Sequence, residues 1–151
     1  MMENKQKDYL FVLIQILLFI IYWWQPKPIK EILPSFWKFA GILIVIIGWV
    51  LILIAFVQLN RNLTMLPSPV KNSKLITTGV FKYIRHPIYT GIFLFALGWA
   101  MFKYNFDQLI ISLLILLLFE IKSNYEEKKL KDRFPEYDKY KDNTGKFFPF
   151  K

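Results

Sequence analysis

The chain has 151 residues, of which 55% are hydrophobic and 21% are charged, and its net charge is +9. This composition excludes an ordinary soluble domain and predicts one integral membrane domain over residues 1–151. The chain has no cysteine and one histidine, so disulfides and thiolate metal sites are excluded and no metal site is expected. The basic residues lie next to apolar runs, which favours contact with membrane lipids over binding of nucleic acid.

Four apolar runs predict an all-α protein with about four transmembrane helices. They cover residues 9–24, 39–57, 88–102 and 109–119. The second run has no charge and nearly matches the ~20 residues that cross a hydrocarbon core. The first run ends in aromatic residues typical of the headgroup level, and no small-residue cleavage site follows it. We therefore expect a retained, multi-pass membrane protein and not a cleaved signal peptide.

The last two runs are separated by residues 103–107 only, a spacing that predicts an antiparallel helical hairpin. Most of the 20 lysines and arginines lie in the N-terminus, the second loop (58–84) and the tail. By the positive-inside rule, both termini and this loop are expected on the cytoplasmic side. Residues 1–57 would then form the first two transmembrane helices.

After the fourth run the chain becomes strongly charged. Residues 126–134 suit a charged helix that Pro135 ends, and the aromatic residues beyond it indicate a cytoplasmic tail that folds back onto the membrane face. In the second loop, Pro67 and Pro69 favour an extended path along the membrane.

The segment Arg85-His86-Pro87-Ile-Tyr89 is the first candidate site. Pro87 suits the first turn of a helix, so Arg85 and His86 would lie at its N-terminal end, at the cytoplasmic mouth. A helix N-terminus favours anions, and an arginine adds a bidentate fork for carboxylate or phosphate. The alternative is that Arg85 and His86 reach lipid headgroups while Tyr89 anchors at the interface.

Lys122 and Glu126 form the second candidate site, one helical turn apart at the end of the fourth run. Since the two helices of a hairpin share an end, Glu126 is expected close to His86. The alternative is an exposed ion pair worth ~0.3–0.5 kcal/mol.

In combination these segments resemble the isoprenylcysteine carboxyl methyltransferase family, which is itself similar to the phospholipid methyltransferases. The resemblance covers about residues 58–150, and the first two helices match in character only. It rests on Leu75-Ile-Thr-Thr-Gly79-Val-Phe81, on Arg85-His86-Pro87-Ile-Tyr89-Thr-Gly91, and on Glu126-Glu127-x-x-Leu130 followed by Phe134-Pro-Glu-Tyr137-x-x-Tyr140.

The resemblance implies that residues 58–151 bind a methyl donor, S-adenosylmethionine, and carry catalysis. The implied donor-binding residues are Leu75, Ile76, Phe81, His86, Pro87, Ile88, Tyr89 and Glu126. Phe81 stands where family members often have tyrosine, and either Gln58 or Asn62 corresponds to an upstream amide that touches the cofactor in some members.

Lys122 corresponds to the family's arginine on the acceptor side. A lysine keeps the charge but lacks the planar fork that grips a carboxylate bidentately. His86 and Arg85 are the other candidates for chemistry. A carboxylate acceptor needs no base, whereas an amine or a thiol would need one, and histidine is the residue type suited to that role.

The leading interpretation is an integral-membrane, S-adenosylmethionine-dependent methyltransferase with a lipid-like or prenylated acceptor. One alternative is a nicotinamide-dependent reductase of the sterol-reductase type, and another is a non-catalytic module that binds lipid headgroups. The acceptor and the oligomeric state stay open, because the glycines of the second and third runs could serve contacts within or between chains. These glycines are Gly41, Gly48, Gly91 and Gly98.

Overall fold

The computed structural model describes residues 2–24, 34–59 and 74–149. These ranges contain helices and one isolated parallel bridge but no strand, so the all-α prediction is confirmed. The proline-containing part of the second loop, with Asn62, lies outside the described residues. The helices are α1 (Met2–Trp23), α2 (Phe36–Leu59), α3 (Pro87–Lys103), α4 (Phe106–Arg133) and α5 (Tyr137–Asp142), with a 3₁₀ turn at Gly79–Lys82.

The first two helices present the surface of a membrane protein. Lys5–Trp23 and Phe36–Leu59 are long and apolar enough to cross a bilayer. Large apolar side chains on α2 point away from the rest of the chain, including Phe39, 72% exposed, and Val57, 74% exposed. Water would make so much exposed apolar surface unfavourable, whereas hydrocarbon removes that cost. This surface supports an integral membrane protein.

α4 combines an apolar half and a charged half in one continuous helix. Its 28 residues make a rod about 42 Å long, which exceeds the ~30 Å of a hydrocarbon core. Its apolar residues lie mainly within 106–121, and the charged residues from Lys122 onward make up most of the rest. The charged helix expected at 126–134 is therefore not a separate element but the C-terminal end of α4.

The predicted hairpin of α3 and α4 is confirmed. α3 ends at Lys103, and Tyr104 adopts a left-handed conformation with φ of 51° that reverses the chain. The Asn105 side chain then caps α4 by accepting a hydrogen bond from the Gln108 backbone N–H at 3.0 Å. The hairpin brings the start of α3 and the charged half of α4 to the same end of the molecule.

α2 and α3 pack backbone to backbone at two glycine pairs, Gly41 with Gly98 and Gly48 with Gly91. A Cβ added at Gly48 would lie 2.7 Å from the Gly91 carbonyl oxygen and 2.8 Å from the Phe95 backbone nitrogen. Small residues allow this close approach in a bilayer, where dispersion contacts replace the hydrophobic effect as the driving force for helix association. The four glycines thus serve contacts within the chain.

We expect Gly48→Val to lower the thermal unfolding temperature of the protein in detergent by several degrees. The valine side chain would collide with backbone atoms of α3, which cannot rotate away, and overpacking of this kind costs about 1–3 kcal/mol. Leu43→Ala is the control, since Leu43 is 59% exposed on the same helix. Equal unfolding temperatures for Gly48→Val and wild type would show that the two helices are not packed this closely.

The tail returns to the start of α3, as the aromatic residues beyond Pro135 predict. Ile84 and Gly145 form a parallel bridge. The Arg85 backbone N–H donates to the Gly145 carbonyl at 2.9 Å, and that of His86 donates to the Lys146 carbonyl at 3.1 Å. The backbone next to the first candidate site is therefore held by the last residues of the chain.

Candidate functional site

The two candidate clusters meet, as the hairpin predicts. The Tyr89 hydroxyl donates to Glu126 Oε2 at 3.0 Å, and His86 Nδ1 lies 3.8 Å from the same oxygen. His86 is the N-cap of α3 and Pro87 occupies its first turn, so the side chains of His86 and Tyr89 both lie at the N-terminal end of the helix. The alternative in which His86 and Tyr89 serve only as separate anchors in the headgroup region does not account for this shared carboxylate.

Glu127 joins three cationic or potentially cationic side chains and is 4% exposed. Its carboxylate accepts from Arg85 Nε at 2.9 Å, lies 3.2 Å from His86 Nε2, and pairs with Lys141 Nζ at 2.8 Å. Burial by itself would raise the pKa of Glu127, but the hydrogen bonds from these three side chains hold that pKa well below its usual range. Glu127 is therefore a permanently charged centre of the cluster.

Arg85 links this centre to the tail. Its guanidinium donates to the backbone carbonyl groups of Lys141, at 3.1 Å, and of Thr144, in addition to Glu127. The guanidinium thus binds groups of the protein itself. A catalytic role for Arg85, and an anion bound by its fork, stay predictions.

A stack of rings forms one wall of the site. The His86 and Tyr89 rings are nearly parallel with centroids 5.5 Å apart, and Tyr89 stacks on Phe119 at 4.5 Å. Phe147 of the tail also lies against His86, with centroids 6.1 Å apart. The Glu126 side chain keeps 25% of its surface exposed at the edge of this aromatic wall.

Glu126 and Glu127 are neighbours in sequence but differ in electrostatic environment. Burial raises the pKa of Glu126, and this effect outweighs the opposing influence of His86, Tyr89 and Lys122. An external cation that approached Glu126 would stabilise its charged form. The two carboxylates therefore differ. The charge of Glu127 is balanced by cationic side chains of the protein, whereas the neighbours of Glu126 do not fully compensate for its burial.

Lys122 is buried, 2% exposed, and the alternative of an exposed ion pair is wrong. Its ammonium donates to Gln15 Oε1 of α1 at 2.8 Å and lies 5.3 Å from the centroid of the Tyr89 ring. Because Tyr89 in turn donates to Glu126, Lys122 is adjacent to the same aromatic wall. The structure thus brings Lys122, His86, Tyr89 and Glu126 together.

The remaining implied donor-binding residues lie along the chain that leads into α3. Leu75 and Ile76 are half-buried in an extended segment, Phe81 is buried in the 3₁₀ turn, and Ile88 is half-buried in the first turn of α3. Gln58 holds the turn, because its side-chain oxygen accepts from the Val80 backbone N–H at 3.0 Å. Their contacts with a donor stay predictions.

Three features of the site were missed by sequence reasoning. The motifs predict no role for Glu127, although its position beside Glu126 is an available signal. The second feature is the hydrogen bond between Gln15 and Lys122, which are 107 positions apart in the sequence. The third is the backbone pairing of Gly145 with the start of α3, which does not depend on residue type and so cannot be predicted from composition.

Comparison with known proteins places these residues in a family. A model of the phospholipid methyltransferase family matches residues 36–136. The chain belongs to the phospholipid methyltransferase family. The matched region includes α2, α3 and α4 with both candidate clusters, whereas α1 lies outside it.

Relatives of the chain have names that agree with the resemblance seen in the sequence. The protein-S-isoprenylcysteine O-methyltransferase of Schizosaccharomyces pombe is 31% identical over 99 residues, covering 63% of this chain and 42% of the relative. That of Saccharomyces cerevisiae is 33% identical over 114 residues, covering 73% and 48%. The resemblance to this group of the phospholipid methyltransferase family is confirmed, and the chain spans less than half the length of either relative.

A solved structure has the same fold. It is that of a eukaryotic intramembrane Ras methyltransferase, isoprenylcysteine carboxyl methyltransferase, with a TM-score of 0.71 and 23% identity. The similarity covers 99% of this chain and 52% of the solved one. The solved structure thus shares the helical architecture described above, and the exposed apolar surface of α2 supports the assignment of this chain as an integral membrane protein.

Proposed function

We propose that this chain is an S-adenosylmethionine-dependent methyltransferase that acts on a hydrophobic acceptor within the membrane. Its first four helices would all cross the bilayer, with both termini and the site on the cytoplasmic side. The observation that carries the proposal is the partly exposed Glu126 side chain, whose carboxylate is held by Tyr89 and His86 at the mouth of the hairpin in a chain of this family.

The residues present fit the chemistry of the donor. S-adenosylmethionine carries an ammonium group, a sulfonium centre and a flat adenine, so it needs an anion, an aromatic or apolar slot and a dry site. Glu126 supplies an anion that the protein leaves partly exposed, and the Tyr89 ring stands beside it. Leu75, Ile76 and Ile88 are half-buried apolar side chains suited to an adenine. The donor supplies a methyl group activated by its positive sulfur.

In this proposal the chain's own residues position the donor and the acceptor and exclude water, and no protein group attacks the methyl carbon. Glu126 holds the cationic end of the donor, while Glu127 and Arg85 keep the start of α3 and the tail in place. Methyl transfer is an in-line displacement, so alignment of donor and acceptor accounts for most of the rate.

Lys122 favours an acceptor that carries a carboxylate. Its ammonium lies 5.3 Å from the centroid of the Tyr89 ring, where it can attract the carboxylate of an acceptor. An isoprenylcysteine-type carboxylate is already ionised at neutral pH and needs no base. Because His86 has a carboxylate near each ring nitrogen, we propose that it bridges Glu126 and Glu127 and does not act as a base.

The proposal is tested by titrating purified protein in detergent with S-adenosylmethionine and, separately, with NADPH. Saturable binding of the methyl donor alone is expected, and absence of binding up to millimolar donor would end the proposal. Labelled methyl transfer to a farnesylated cysteine analogue is then compared with transfer to a phospholipid amine. Transfer to the amine alone would overturn the proposed acceptor class but not the donor.

We expect Lys122→Met to lower turnover of the farnesylated acceptor at least about 10-fold, which corresponds to the loss of about 1.4 kcal/mol of transition-state stabilisation. Donor affinity should change much less, because Glu126 and the aromatic wall remain. Lys122→Arg is the matched control and should retain most of the turnover. A large loss of donor affinity with unchanged turnover at saturation would place Lys122 on the donor side instead.

A further inference from the structure

α1 lies outside the residues matched by the family model, yet it contacts α4 through polar groups. Asp8, 2% exposed, pairs with Lys129 Nζ at 2.7 Å. Seven residues further along α1, Gln15 accepts from Lys122 Nζ at 2.8 Å. Buried polar groups are costly without a partner, so each of these contacts stabilises a charged group that packing has removed from water.

Two of the polar contacts are spaced by seven residues in both helices. A step of seven residues along α1, from Asp8 to Gln15, is matched by seven residues back along α4, from Lys129 to Lys122. This spacing is typical of two antiparallel helices that keep one face towards each other. A third contact joins the other ends of the two helices: the Tyr22 backbone carbonyl accepts from Gln108 Nε2 at 3.1 Å, seven residues further along α1 but 14 residues before Lys122 in α4. These three contacts form the polar seam of α1 and α4.

The contact between Gln15 and Lys122 determines where the Lys122 ammonium lies. A lysine side chain is long and flexible, and near a membrane surface its ammonium tends to extend towards water and headgroups. Here the Gln15 oxygen accepts a hydrogen bond from the ammonium, which stays 5.3 Å from the centroid of the Tyr89 ring. The acceptor-side charge is thus held at the aromatic wall by a side chain of α1.

We propose that Gln15 is a positioning residue for Lys122, so that α1, through its polar seam with α4, completes the acceptor side of the site. This inference rests on the proposed methyltransferase function. Gln15 itself touches neither donor nor acceptor in the proposal. It acts by directing the ammonium that faces the acceptor carboxylate.

The test compares two glutamine-to-leucine variants of the same seam. Gln15→Leu removes the hydrogen bond to Lys122, and Gln108→Leu removes the hydrogen bond to the Tyr22 carbonyl. Gln108 lies 14 positions before Lys122 in α4 and is therefore about 21 Å away from it along the helix. Each is also combined with Lys122→Met. For every protein we would measure the unfolding temperature in detergent, the dissociation constant of S-adenosylmethionine, and kcat and KM for the farnesylated cysteine analogue.

We expect Gln15→Leu to lower kcat/KM for the acceptor about 10-fold, with donor affinity within about 2-fold of wild type. In the Lys122→Met background the same substitution should have almost no further effect on kcat/KM, since the group it positions is gone. Gln108→Leu should lower the unfolding temperature but leave kcat/KM of the folded protein unchanged. Gln15→Glu, which keeps an oxygen acceptor for the ammonium, should restore most of the loss.

Two results would overturn the inference. One is a Gln15→Leu effect on kcat/KM that matches that of Gln108→Leu, and the other is an equal effect of Gln15→Leu with and without Lys122. If wild type transfers no methyl group, the proposed function fails, and the contact is judged from unfolding temperatures alone. Strictly additive shifts for Gln15→Leu and Lys122→Met would then reject the positioning role, whereas non-additive shifts would support it.

Discussion

Glu127→Gln is expected to destabilise the protein by about 3–5 kcal/mol, which corresponds to a fall in unfolding temperature on the order of 10 °C. The carboxylate is 4% exposed and is the shared partner of Arg85, His86 and Lys141. A neutral amide would leave the largely buried Arg85 guanidinium without its countercharge and would loosen the tail that Arg85 holds. Thermal unfolding in detergent, followed by tryptophan fluorescence, measures the effect.

The same variant should change how stability depends on pH. The folded-state pKa of Glu127 is depressed, so its unfolded form binds more protons between the two pKa values and stability rises with pH there. This stabilisation is present above the unfolded pKa of about 4.3 and is lost as pH falls towards the folded pKa. Wild type should therefore lose stability more steeply than Glu127→Gln below about pH 4.3.

Glu120→Gln provides the control on the same helix. Glu120 is 46% exposed and pairs with Lys146 at 2.6 Å, and an ion pair this accessible to water contributes at most about 1 kcal/mol. Equal unfolding temperatures for Glu127→Gln and Glu120→Gln would show that the buried cluster does not hold the tail against α3.

Glu126→Gln is expected to weaken binding of S-adenosylmethionine about 10-fold to 100-fold, with little change in unfolding temperature. Loss of a charge-assisted hydrogen bond costs about 1.5–3 kcal/mol, and each 1.4 kcal/mol is a factor of ten in affinity. Stability should hardly fall, because the pKa of Glu126 is raised in the folded protein and its ionised form is therefore a cost to folding above that pKa. Calorimetric titration with the donor measures the difference.

Donor affinity of the wild type should also increase with pH, above the range in which a carboxyl group ordinarily ionises. The cationic end of the donor needs the ionised carboxylate, and burial shifts its ionisation above the usual range. In Glu126→Gln this dependence should disappear, while Glu120→Gln should keep it. If Glu126→Gln bound the donor as wild type does and Glu127→Gln did not, the roles assigned to the two neighbours would be reversed.

Much of the architecture could be predicted from the sequence because the signals are local. Apolar runs of membrane length, the five residues between the last two runs, and Pro87 at a helix start each depend on neighbours along the chain. The hairpin geometry then required Glu126 to lie near His86, and the ordered motifs indicated the family. Three statements stay predictions: that residues 1–151 form one domain, that the chain crosses the membrane four times, and that both termini are cytoplasmic.

The sequence by itself determined which residue types gather at the mouth of the hairpin, and only the tertiary structure decided what each of them contacts. Glu126 and Glu127 are identical in type and adjacent in sequence, but one turns towards Tyr89 and the other towards Arg85 and the tail. Lys122 is bound by Gln15 from a helix that begins more than 100 positions earlier in the chain. Charge and hydrogen bonding act through space, so the partner of a buried polar group is decided by how the helices pack and not by its neighbours in the chain.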